Sequence, residues 1–193
     1  MKIVRRVCFF AAALAISGQV ASAQDAPAVG VMVGVNEAYF ATSPKNSTSK
    51  KPGAMFGVFG VLRRDKSLKI LPELQFSQRK VDVKLGSSTA SFSTSYLNAG
   101  LMTRLKLFKG LYTSQGAQFA FPVRSKLDLG TSNVDIKDNI NWDFSIPAGV
   151  GRQFGRLGIE GRWDSGLKRV EKGPLGNFIK RNRAITIFAS IGL

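Results

Sequence analysis

Five charged residues, Glu73, Arg104, Asp143, Glu160 and Arg162, stand in stretches where apolar and polar residues alternate, and each falls on the polar side of the alternation. Two chemistries are open to carboxylates placed this way. They could exchange protons with a substrate as acid and base, or they could pair with the arginines, because a buried charge without a partner is costly. What the chain lacks favours pairing. It has no histidine, and its single cysteine, Cys8, lies close to the N-terminus. The usual nucleophile–base pairs and most transition-metal sites therefore have no donors. Neither a phosphate-cradling glycine loop nor a calcium-loop pattern occurs. The sequence points away from catalysis and away from a bound cofactor or metal.

The elements that must hold these charges follow a leader. Lys2, Arg5 and Arg6 precede an apolar run from Val7 to Ile16, and Ala21-Ser22-Ala23 supplies small residues before Gln24. This is the pattern of a cleavable export signal over 1–23, leaving one domain over 24–193 and no cysteine for a disulfide. The formal charge of +16 would suggest nucleic acid for a cytosolic protein, but export argues against that partner.

After the leader no apolar run is long enough for a membrane helix, yet eight stretches alternate with period two, over roughly 28–40, 53–63, 67–81, 92–107, 111–123, 139–153, 157–165 and 182–193. Leu68, Ile70, Pro72, Leu74 and Phe76 share one face, as do Ile140, Trp142, Phe144, Ile146, Ala148 and Val150, and Ile185, Ile187, Ala189, Ile191 and Leu193. The stretch at 53–63 is apolar on both faces. Connectors alternate too. Ala41–Pro52, Asp82–Ser91, Arg124–Asp138 and Gly166–Arg181 read as long and polar, whereas Arg64-Asp65-Lys66, Phe108-Lys109-Gly110 and Phe154-Gly155-Arg156 read as tight turns. Short turns on one side and long loops on the other describe an eight-stranded, antiparallel, up-and-down transmembrane β-barrel of the outer membrane, with the short turns in the periplasm. A secreted, soluble, lipocalin-like barrel shows the same alternation with the apolar face turned inward. The uncharged apolar sets, and small residues such as Gly30, Gly34, Gly100 and Gly116 opposite them, favour the membrane arrangement.

Four runs carry a family resemblance: Val31-x-Val33-Gly34-Val35-Asn36, Pro52-Gly53-Ala54-x-Phe56-Gly57-Val58-Phe59, Leu71-Pro72-Glu73-Leu74-x-Phe76-Ser77-Gln78, and Tyr96-Leu97. The chain resembles the PorT-like outer-membrane β-barrel domain over essentially its whole mature length. The resemblance implies a small eight-stranded barrel of the Gram-negative outer membrane, and PorT itself is associated with protein secretion. Two departures stand out. Asn98 follows Tyr-Leu where an acidic residue is common, and Leu193 ends the chain where an aromatic is common in insertion signals.

The long connectors are basic, with Lys50 and Lys51 in the first and Lys168, Arg169, Lys172, Lys180 and Arg181 in the last. Placed outside, they would face membrane lipid and the phosphates of lipopolysaccharide. The sequence-level expectation is a monomeric, non-enzymatic barrel with a structural or surface-interaction role, open to a protein partner through its loops. A narrow channel is the alternative, limited because eight strands leave an interior that side chains can fill.

Overall fold

The computed structural model describes residues 29–42, 48–65, 67–85, 88–128, 133–137, 140–168 and 179–193. The export segment expected over 1–23 lies outside them. The strands are β1 (Val29–Thr42), β2 (Thr48–Gly60), β3 (Arg63–Arg64), β4 (Leu68–Leu85), β5 (Ser88–Lys106), β6 (Leu111–Asp128), β7 (Asn133–Asp135), β8 (Asp143–Phe154), β9 (Leu157–Gly166) and β10 (Ile179–Gly192). Eight of them form a closed antiparallel ring, β1-β2-β4-β5-β6-β8-β9-β10, which β1 completes by pairing with β10 from Gly30↔Gly192 to Thr42↔Ile179. The two short ribbons, β3 and β7, pair only with β4 and β6.

Closure leaves every long strand with a neighbour on both sides, which a strand needs where no water can satisfy its amides. Alternation then decides the faces. On β10, Ile185, Ile187 and Ile191 are exposed while Thr186, Phe188 and Ser190 are buried; on β9, Leu157, Ile159 and Trp163 are exposed around buried Glu160 and Arg162. The apolar residues thus point away from the barrel axis, the reverse of a soluble lipocalin-like barrel. β2 resolves the same way, with Phe56 and Val58 outward and Met55 and Phe59 inward.

The interior is filled rather than open. At the end bearing the short turns, Met32, Met55, Phe59, Leu71, Met102 and Phe188 form one apolar cluster. Gly34 admits it, because a Cβ there would lie 2.5 Å from the Cβ of Phe188. At the opposite end Ala38, Val81, Phe92, Tyr96, Ala120 and Ile140 form a second cluster, joined by Leu127 and Ile136.

Three expectations are corrected. The long connector expected over Asp82–Ser91 is mostly strand: β4 and β5 pair as far as Leu85↔Ser88, leaving only two residues between them. Beyond the lipid belt an outward face meets water, so serine and threonine serve a strand as well as a loop. Lys51 Nζ and Ser91 Oγ reach Asp82 at 2.7 and 2.6 Å, and these hydrogen bonds, Lys51 first, hold the Asp82 carboxyl below the usual carboxylate range. Second, β2 spans Thr48–Gly60 rather than 53–63, because Val61 and Leu62 leave the ladder and Arg63 turns back onto Ile70. Third, Ile140 is buried in the outer cluster instead of facing lipid, since β8 begins only at Asp143.

Ile187→Arg places a charge on the outward face of β10. The substitution should cost about 2–4 kcal/mol of folding free energy if that face meets the hydrocarbon midplane, as read from denaturant unfolding in lipid vesicles. An unchanged stability would show that Ile187 does not meet hydrocarbon.

Candidate functional site

Four of the five sequence-selected charges meet inside the lumen, beside the apolar cluster of the short-turn end. Glu73 projects inward from β4, Arg104 from β5, and Glu160 and Arg162 are neighbours on the inward face of β9; all four are buried. Arg162 is the hub. Its Nη1 donates to Glu73 Oε2 at 2.7 Å and its Nη2 to Glu73 Oε1 at 3.2 Å, while Nε and Nη2 donate to Glu160 Oε1 at 2.9 and 2.8 Å. Arg104 Nη2 sits 3.1 Å from Glu160 Oε2 as an ion pair lacking hydrogen-bond geometry.

Uncharged residues complete the group. Gln75 Nε2 donates to Glu73 Oε2 at 2.7 Å, Ser114 Oγ to Glu160 Oε1 at 2.6 Å, and Tyr112 OH to Glu160 Oε2 at 3.1 Å. Aromatic faces cover the cations: the Arg162 guanidinium lies 4.8 Å from the Phe188 ring centre, and that of Arg104 lies 4.9 Å from Tyr112 and 5.6 Å from Phe59. Two positive and two negative side chains balance, and every carboxylate oxygen of Glu73 and Glu160 is occupied. Each of these oxygens already faces a cation or a donor, the arrangement of a structural ion-pair network.

Asp143 stands apart. It is buried near the outer end, where its Oδ1 accepts the backbone N–H of Lys168 at 3.2 Å. Sequence reasoning passed over Gln75, Tyr112 and Ser114, which carry no charge to draw attention, and also the buried Arg79 and Asp164. The alternation that marked Glu73 and Glu160 continues to both of the latter, as Glu73-x-Gln75-x-Ser77-x-Arg79 and Glu160-x-Arg162-x-Asp164.

The basic positions divide. Lys50, Lys180 and Arg181, expected on connectors, lie in strands, because β2 and β10 keep pairing beyond the lipid belt, as in Lys50↔Val81 and Thr42↔Ile179. Lys51 is ion-paired with Asp82. Lys168 is exposed, and its Nζ sits 3.1 Å from the centre of the Trp142 ring. Arg169 and Lys172 lie outside the described residues. Among the described residues no group of His, Cys, Asp and Glu could hold a metal ion.

A family model described as outer membrane protein beta-barrel domain matches residues 22–170. The chain belongs to this family. It is an outer-membrane barrel, and solved structures show the same fold at low identity. Neisserial surface protein A is 12% identical with a TM-score of 0.57, the match covering 88% of this chain and 100% of that one. Ail, the attachment invasion locus protein of Yersinia pestis, is 8% identical with a TM-score of 0.54 and the same coverage. No curated protein matches the sequence.

The hub position of Arg162 in this outer-membrane barrel has a measurable consequence. Arg162→Met should cost about 3–5 kcal/mol in vesicle unfolding, since it strands Glu73 and leaves Glu160 only Arg104, and Arg104→Met should cost less. In a double-mutant cycle of Glu73→Gln with Arg162→Gln, a coupling of about 0.5–3 kcal/mol is expected; strict additivity would show that the two are not energetically joined.

Proposed function

We propose that this barrel is a non-enzymatic, monomeric surface protein whose outer basic residues hold the phosphates of lipopolysaccharide, with its loops free to meet a protein partner. The observation that carries this reading is the ledge at the outer end of β8. The Lys168 ammonium sits over Trp142, Trp142 lies 5.9 Å from Phe119, and Phe119 meets Phe144 in a tilted contact at 5.0 Å and stacks on Phe121 at 6.5 Å. Aromatic rings gather at the level where a membrane turns to water, and the cation above them stands where lipid phosphates lie.

Two further points support it. The neighbouring barrel Ail was crystallised with the heparin analogue sucrose octasulfate, a polyanion that calls for the same kind of cationic surface. The plugged lumen argues against the alternative of a narrow channel. The PorT-like resemblance supports a further link to protein secretion, which rests on the motif runs alone.

Binding to lipopolysaccharide should be tight at low salt and weaken as ionic strength rises, because the Debye length is already about 8 Å at physiological salt. Replacing Lys168, Arg169, Lys172, Lys180 and Arg181 together by Gln should flatten that salt dependence while leaving heat-modifiable electrophoretic mobility intact. Absence of binding by the wild type at low salt, or an unchanged salt slope in the Gln protein, would refute the reading.

A further inference from the structure

We infer that the opposite, periplasmic rim is a second lipid-reading surface, built to hold the anionic phosphate headgroups of the inner leaflet. The pattern repeats at the short turns. A large apolar residue comes first and a base follows: Leu62 before Arg63, Phe108 before Lys109, and Phe154 before Gly155-Arg156. Leu62, Phe108 and Phe154 are 69%, 66% and 51% exposed, so they extend the outward apolar belt to its lower edge. Lys106, Lys109, Arg152 and Arg156 are exposed beside them, with the Arg152 guanidinium 5.0 Å from the Phe154 ring centre. Among the described residues of this rim, Asp65 is the one carboxylate side chain. The interior has drawn the other sign of charge inward, where Glu73 and Glu160 face the lumen arginines.

The rim is a fixed platform. Lys106 N–H donates to Ser67 O at 2.7 Å, Gln153 N–H to Gly110 O at 2.8 Å, and Gly192 N–H to Arg156 O at 3.0 Å, so each turn is tied to the next. One residue is held there at a conformational cost. Lys109 has φ +46° and Gly110 φ +79°, the paired left-handed geometry of a two-residue hairpin that favours Asn-Gly. Lysine has no side-chain hydrogen bond to ease that backbone, whereas asparagine adopts it readily. A strained residue at a tip suggests a role other than stability, and a cation at the phosphate level supplies one. Phospholipid is the occupant that fits, because the bases stand directly below residues that continue into the membrane; a soluble acidic partner would have no use for exposed Phe108 and Leu62.

Lys109→Asn separates the two roles, since it removes the charge and relieves the turn. With the refolded full-length chain in phosphatidylcholine membranes, the relative association of spin-labelled phosphatidylglycerol over labelled phosphatidylcholine should fall in Lys109→Asn by up to about fivefold, the factor equivalent to about 1 kcal/mol per base at an anionic surface. Its unfolding free energy should stay level or rise. The combined Gln variant of Lys106, Lys109, Arg152 and Arg156 should lose more of the preference. A barrel carrying Gln at the outer basic positions should keep the part that depends on the rim, so failure of lipopolysaccharide binding and failure of this proposal read out separately. A phosphatidylglycerol preference that is equal in wild type, Lys109→Asn and the fourfold variant, all showing heat-modifiable mobility, would overturn the inference. So would a loss confined to the outer variant.

Discussion

The fold depends on one constraint: in hydrocarbon every backbone N–H and C=O must find its partner within the protein. A sheet meets that demand only by closing, and here β1 closes the ring by taking β10 on one side and β2 on the other. With the ring closed, alternation leaves each strand one face for lipid and one for an interior that eight strands make too narrow for free water flow. The outward faces of β9 and β10 are accordingly uncharged along Leu157–Trp163 and Ile185–Ile191, apart from inward positions such as Glu160. The polar residues displaced from the lipid face have to satisfy one another inside.

The lumen shows how they do so. Arg162 bridges Glu73 and Glu160, which lie far apart in sequence and on strands from different parts of the ring. Its guanidinium fork lets one side chain serve two carboxylates, which a lysine ammonium could not do with the same planar geometry. The apolar cluster of the short-turn end lies beside the charges, with Phe59 opposite Glu73 and Phe188 opposite Glu160 across adjacent strands, and the second cluster fills the other end. Ion pairs so placed contribute little net stability compared with an apolar filling. They join strands from opposite parts of the ring, Glu73 on β4 with Glu160 and Arg162 on β9. On the readings proposed above, recognition falls to the two rims rather than to the interior.

Much of the architecture was legible in the sequence because period-two alternation survives wherever one face meets lipid. Strand β10 could be read residue by residue from Ile185, Ile187 and Ile191 against Thr186, Phe188 and Ser190. The reading broke where that asymmetry ended. At Asp82–Ser91 both faces of an extended hairpin meet water, so strand and loop share a composition; at 53–63, Gly57 and Gly60 left too little side chain to distinguish the faces. The inward placement of Glu73, Arg104, Glu160 and Arg162 followed from alternation, but their partners did not. Register across the ring decides that Arg162 rather than Arg104 reaches Glu73, and register is set by backbone pairing that no single strand encodes. Gln75, Tyr112 and Ser114 went unnoticed because hydrogen-bonding residues without charge are common on any polar face.

The account turns on a filled lumen, and single-channel recording in a planar lipid bilayer tests it directly. A barrel sealed at Arg162, Glu73, Glu160 and Arg104 should insert without producing steady unitary current at any modest voltage. A stable, ohmic conductance in the wild-type protein would mean that water and ions pass the charge network, and the function would then have to be sought in the lumen rather than at the membrane surfaces.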